Sequence, residues 1–184
     1  MEGAYKLLDA INTAWEERDK RELLGNRDFT YGEARFYSFY PLLNLVSPQP
    51  GEVFYDLGCG TGLPGSVAAM MFPELASSEG AEFLENLVRI GQGAIERITQ
   101  ECARQGVRHA PLSIVAADIL EIDWSHADII LCNNVTWGPE LLTAVVEKAA
   151  LLKRGTRFIS FARLPNSAHM QLRMNICVQM SWGS

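Results

Sequence analysis

No two cysteines of this chain form a Cys-x-x-Cys pair. The four that occur, Cys59, Cys102, Cys132 and Cys177, stand far apart. That spacing argues against a structural zinc site and suits a reducing compartment. The three histidines, His109, His126 and His169, are scattered and lie near no candidate nucleophile, which speaks against a hydrolytic triad or a metal centre. Each reads as a surface or loop residue. A basic block is also missing: 16 Lys and Arg face 22 Asp and Glu, for a net charge of −6 and a pI near 5.1. Nothing here grips phosphates by itself, so no strong direct nucleic-acid site is expected, and an acidic surface suits a basic partner. No stretch approaches the roughly 20 apolar residues of a membrane span. The start, Met1-Glu2-Gly3-Ala4, has neither a basic n-region nor an apolar h-region, so a secreted destination is not expected. Repeats and low-complexity tracts are absent. What is present is ordinary for one soluble domain with a real core: 184 residues, 48% hydrophobic and 21% charged.

Against this plain background the segment Asp56-Leu57-Gly58-Cys59-Gly60-Thr61-Gly62 stands out, directly after the apolar run Val53-Phe54-Tyr55. A strand that stops in glycines at alternate positions makes a tight turn with no Cβ in the way. Backbone can then lie against a ligand while the next helix aims its N-terminus at it. Pro64 suits the first turn of that helix, where its missing N–H costs nothing. The form resembles the opening of the S-adenosylmethionine (AdoMet) pocket in class I methyltransferases, which places Asp56, Gly58, Gly60 and Gly62 at the cofactor. Gly60-Thr61-Gly62-Leu63-Pro64-Gly65 also matches the dinucleotide fingerprint G-x-G-x-x-G. The strand, however, ends at Leu57 and Gly58 is already in the turn, which suits AdoMet better.

Periodicity organises the rest. Residues 4 to 24 read as a helix with Leu8, Ile11 and Trp15 at helical spacing, and Arg27–Glu33 as a connection. A second helix is expected over Ala34–Val46, with Phe36, Tyr40 and Leu43 on its apolar face, before Pro48, Pro50 and Gly51 break the chain. Strand Val53–Leu57, helix Leu63–Phe72, a weak strand Ala76–Glu82 and a long helix Glu85–Gln105 follow, with Gly106 as its stop. Next come strand Leu112–Ala116, strand Asp128–Asn133 and helix Glu140–Leu152. Cationic Lys153-Arg154 and Gly155 read as the C-terminal cap of that helix. Strand Thr156–Phe161 and a last apolar run, Asn175–Trp182, complete the pattern. Alternating strand and helix predicts an α/β, Rossmann-like fold with a mostly parallel sheet flanked by helices. An N-terminal helical segment over residues 1–50 would precede a core over residues 51–184.

Such a pocket needs an acid at the end of the second strand to accept hydrogen bonds from ribose hydroxyls, about 20 residues past the turn. Glu82 fits and is favoured, because Gly80-Ala81 puts a small residue beside it; Glu79 is its rival. Asp118, after the third strand, is placed to face the adenine amine, or to serve as turn chemistry. Ile119 would then pack on the adenine ring.

The fourth strand ends in Asn133-Asn134-Val135-Thr136-Trp137-Gly138-Pro139-Glu140. This segment resembles the Asn-Asn-x-x-Phe-Gly-Pro-Glu stretch of the disruptor-of-telomeric-silencing histone lysine methyltransferases, which lack a SET domain. Thr30-Tyr31-Gly32-Glu33 resembles the Tyr-Gly-Glu element of that family, and Val178–Gly183 its Ser-Trp-Thr-Gly stretch. The resemblance covers about Thr30 to Ser184. It departs from the family in having Trp137 where phenylalanine is usual, and Ala34 after Glu33. A final strand carrying a tyrosine of the lysine channel would lie beyond Ser184, so the core is expected to be truncated before it. A lysine-rich nucleosome-binding extension is likewise missing.

What the resemblance implies is a methyl transfer from AdoMet to a lysine ε-amine, leaving S-adenosylhomocysteine. Tyr31 and Glu33 would fold over the methionine end of the cofactor. Asn133 would sit at the transferred methyl and orient the amine, with Asn134 beside it. Tyr31 and Trp137 would wall the lysine channel. The implied substrate is a core histone or nucleosome and the implied site of action the nucleus. Two alternatives stand beside this reading: a methyltransferase for another protein or a small molecule, and an AdoMet-fold interaction module without catalysis.

Overall fold

Val53–Leu57 is β1, the middle strand of a five-stranded parallel sheet ordered β3-β2-β1-β4-β5. A computed structural model describes residues 36–177, and side chains from Phe39 onward. The elements are α1 (Phe36–Val46), β1, α2 (Leu63–Met71), β2 (Ser77–Glu82), α3 (Glu85–Gln105), β3 (Leu112–Ala116), β4 (Ile129–Cys132), α4 (Pro139–Ala149) and β5 (Arg157–Ser160). The expected helix over residues 4–24, the connection to Glu33 and Val178–Gly183 lie outside the described residues.

A strand covered on both faces reads as continuous apolar sequence, and β1 and β4 do. Phe54, Ile129 and Leu131 face one cluster with α1, α2 and α3; Tyr55, Leu57, Ile130 and Cys132 face the other with α4 and residues 119–127. Register is set by Leu57 pairing with Cys132 and Ala81, which brings the carboxyl ends of β1, β2 and β4 level. In an open α/β sheet that edge, where the strand order reverses between β1 and β4, is the ligand side.

β1, α3 and β3 have the expected bounds, and Gly106 caps α3 with φ of 66°. Other elements differ. On α1, Leu43 is buried and Tyr40 packs against the same cluster as expected, and the side chain of Phe36 lies outside the described residues. Phe39 and Leu42 join the inward face, Phe39 meeting Phe54 edge-on at 6.5 Å with exposed Pro41 turned outward. Helix α4 stops at Ala149 rather than Leu152. Residues 150–152 continue in tightened turns, Ala150 N–H to Glu147 O, Leu151 N–H to Lys148 O and Leu152 N–H to Ala149 O. Gly155, expected as its cap, is instead at φ of 97° in the turn before β5. Asn175–Cys177, the described part of the last apolar run, is exposed and forms no strand. No helix among the described residues is long and apolar enough to cross a membrane.

Candidate functional site

Three glycines in positive φ build the centre of the site: Gly58 at 74°, Gly60 at 56° and Gly62 at 80°. Residues with a Cβ rarely adopt these values, so the alternate spacing follows from backbone geometry. Gly58 and Cys59 donate to Ala81 O at 2.9 and 3.0 Å, which ties the turn to the end of β2. Gly62 is the N-cap of α2 and Pro64 lies in its first turn, as the sequence predicts. Two further glycines, which periodicity alone passes over, let the turn nest. A Cβ on Gly80 would stand 2.8 Å from Cys59 Cβ, and one on Gly91 would stand 2.5 Å from Thr61 O. Glycine inside a helical pattern was the available signal, but it marks Gly91 and Gly93 alike, and only Gly91 makes the close approach.

Asp56 is fully buried at the end of β1, beneath this turn. Its Oδ2 takes no hydrogen bond from any described residue. Burial, with the Glu82 charge adding to it, pushes the Asp56 carboxyl up to about 8. An orphaned carboxylate oxygen in a dry site is costly unless a ligand partner completes it. An ammonium group is such a partner, and the methionine end of AdoMet carries one; the donor set therefore fits that cofactor.

The two candidate acids of β2 separate cleanly. Glu82 sits at the turn: its Oε2 accepts from Gly60 N–H and its Oε1 from Leu84 N–H, both at 3.0 Å. Each oxygen keeps a second lone pair for a hydroxyl. Glu79 points elsewhere, accepting from Ser77 Oγ at 2.6 Å and lying 3.1 Å from His126 Nε2. Asp118 is exposed just past β3, and its Oδ1 accepts from Leu120 N–H at 2.8 Å, so it does form turn chemistry at the place expected for an adenine partner. Ile119 is not presented as an open adenine platform. It is built into the second core cluster and only 8% exposed.

Beyond β4, Asn133 and Gly58 each follow the paired residues Cys132 and Leu57, so the Asn-Asn segment starts beside the turn. Asn133 is half-buried. Asn134 is a brace: its Oδ1 accepts from Ala162 N–H at 2.8 Å and Ser160 Oγ at 3.1 Å, and its Nδ2 donates to Ala162 O at 3.2 Å. Trp137 folds back over the glycines, its Cζ2 standing 3.3 Å from where a Cβ on Gly58 would be. Tyr31 and Glu33 lie outside the described residues. Burial raises the thiols nearby, Cys59 well above its ordinary value and Cys132 to about 12, so neither is a nucleophile at neutral pH.

Known proteins place this geometry. The chain is 31% identical over 151 residues to a histone-lysine N-methyltransferase, H3 lysine-79 specific, of Debaryomyces hansenii, covering 77% of the chain and 13% of that protein. It is 30% identical over 119 residues to a protein-lysine N-methyltransferase of Saccharolobus islandicus, covering 65% of the chain and 67% of that protein. Among solved structures, an RNA methyltransferase of Salinibacter ruber with S-adenosyl-L-homocysteine superposes with a TM-score of 0.53 at 18% identity, covering 70% of this chain and 76% of that one. That likeness establishes the class I methyltransferase fold. The chain spans 13%, 26% and 8% of the length of three H3 lysine-79 specific relatives. The family model for histone methylation protein DOT1 matches residues 20–179, nearly the whole sequence, and the chain therefore belongs to the DOT1 histone methylation family.

Proposed function

We propose that the chain is the catalytic core of an AdoMet-dependent protein lysine methyltransferase acting on a core histone, with S-adenosylhomocysteine as product. The observation that carries this reading is Trp137 seated on Gly58, which sets the family's acceptor segment against the glycine turn. Histone H3 is the favoured substrate because relatives of the chain are named H3 lysine-79 specific; a nucleosomal substrate and nuclear action follow from the same reasoning.

Bound AdoMet supplies an electrophilic sulfonium methyl. Asp56 receives the cofactor's ammonium, Glu82 the ribose hydroxyls, and Asp118 the adenine amine. Gly58, Gly60 and Gly62 keep the wall of the pocket free of side chains. Tyr31 and Glu33 are assigned to the methionine end by the family resemblance alone. The acceptor amine must be neutral, whereas free lysine titrates at about 10.4. A dry channel walled by Trp137 and Tyr31 disfavours the ammonium form and lowers that value. Asn133 holds the neutral amine through its side-chain oxygen, and the proton leaves to water without a dedicated base. The rate then rests mainly on positioning.

Calorimetric titration with AdoMet and S-adenosylhomocysteine tests the pocket, followed by methyl transfer to nucleosomes, free histones and small amines. Micromolar binding and transfer to histone lysine are expected, and Gly60→Arg, at φ of 56°, should abolish both. Binding that survives this substitution would sink the pocket assignment. Transfer to small amines alone would favour a small-molecule enzyme, and binding without any transfer an interaction module.

A further inference from the structure

The connection from β3 to β4 carries no helix, although it crosses the sheet from the β3 edge to the far side of β1. A parallel crossover usually covers the sheet with one. Here the cover over Tyr55, Leu57 and Ala81 includes Trp124, only 1% exposed, and Ile119. Side chains must then do what helical hydrogen bonds do elsewhere. Trp124 Nε1 donates to Ile119 O at 2.8 Å. The ammonium of Lys148, reaching across from α4, donates to Leu120 O at 2.6 Å and Ile122 O at 2.5 Å and lies 5.6 Å from the Trp124 ring centroid. Leu120 is also the residue whose N–H fixes Asp118 Oδ1. Asp118 O accepts in turn from Glu121 and Ile122 N–H at 3.0 and 3.2 Å.

We propose that Lys148 is a positioning residue for the purine end of the cofactor. By holding the carbonyls of Leu120 and Ile122 it sets the backbone of this connection, and through Leu120 it aims the Asp118 carboxylate. The same helix begins at Pro139, two residues after Trp137. One rigid element therefore carries the acceptor segment at its start and the purine brace near its end. This inference rests on the cofactor reading of the site above.

The test is a double-mutant cycle on the full 184-residue chain, read as the calorimetric Kd for S-adenosylhomocysteine. Lys148→Met removes both charge-assisted hydrogen bonds and should weaken binding about tenfold, while Lys148→Arg should restore most of it. Lys148→Gln removes the charge while keeping a neutral amide donor, and takes the place of the Met variant should that one not fold. If Lys148 acts through Asp118, adding Lys148→Met (or Gln) to Asp118→Ala should weaken binding no further than Asp118→Ala alone. Multiplying losses, or a lower unfolding temperature with unchanged Kd, overturn the positioning role and leave the cofactor pocket standing. Failure of the folded wild-type chain to bind overturns the pocket, and this role with it.

Discussion

Asp56 concentrates the chemistry of the site in one side chain. Its folded-state value of about 8 lies above the ordinary 3.8 because burial, and then Glu82, disfavour the anion. The native state therefore keeps a proton that the unfolded chain gives up. The stability this contributes is fully present below about pH 4 and is lost as pH rises towards about 8. Urea-unfolding midpoints should fall across that window in the wild type, and Asp56→Asn should lose that component of the slope. A ligand ammonium against Oδ2 favours the anion, so cofactor binding near neutral pH should release a proton. Calorimetry in buffers of different ionisation heat reads that release directly, and a heat independent of buffer would count against an ammonium at Asp56. The acid was legible in sequence as the residue two before the first glycine of the turn; the burial of its unpartnered Oδ2 was not, because it depends on β2 and β4 flanking β1.

Among elements, α3 makes the tightest approach. A Cβ on Gly91 would stand 2.4 Å from Ile114 Cδ1 and 2.5 Å from Thr61 O, the latter a backbone atom that cannot swing aside. Gly91→Ala should therefore cost about 1–3 kcal/mol, despite the higher helix propensity of alanine. It should also weaken cofactor binding, since Thr61 belongs to the glycine turn. Unfolding midpoints together with Kd check both, and a stabilised variant would show that α3 simply shifts. Strongly signalled elements could be read from sequence. α3 has a long amphipathic pattern with glycine at its stop, and β1 runs into the turn. The end of α4 could not: Lys153-Arg154-Gly155 imitates a cap, but the chain tightens from Ala150 and uses Gly155 for the next turn. On α1, Leu43 and Tyr40 pack inward as the spacing indicates, whereas the burial of Phe39 was not legible because it depends on Phe54 of another element.

At the scale of the molecule, Arg157 ties β5 to the connection between α1 and β1. From β5 its Nη1 donates to Val46 O at 2.9 Å and Ser47 O at 3.2 Å, at the C-terminal end of α1, and its Nη2 lies 2.5 Å from Glu52 Oε2. Arg157→Met should lower stability by about 1–3 kcal/mol, measurable by urea unfolding, and leave the Kd for S-adenosylhomocysteine unchanged because the contact is at the opposite edge of the sheet. The overall architecture was legible because strand and helix alternate. The helix-free crossover looked unremarkable, since only the assembled sheet reveals what covers Tyr55 and Leu57.

The strand order also has a consequence in time. Val53 pairs with Ser77, whereas Phe54 must also find Ile129, across the whole of the intervening α/β unit. Closing the longer loop costs more entropy, so β1, β2 and β3 are expected to associate before β4 docks. On an emerging chain β1 would then wait with one edge open, the kind of surface on which chains join one another. Pulse-labelled hydrogen exchange during refolding should protect amides of β2 and β3 before those of β4, and the opposite order would refute this sequence of events. The seam between Gly58 and Asn133 closes only when β4 docks, so the pocket does not exist in the first half of the sheet, and a ligand spanning it would speed the completion of folding only after that half has formed.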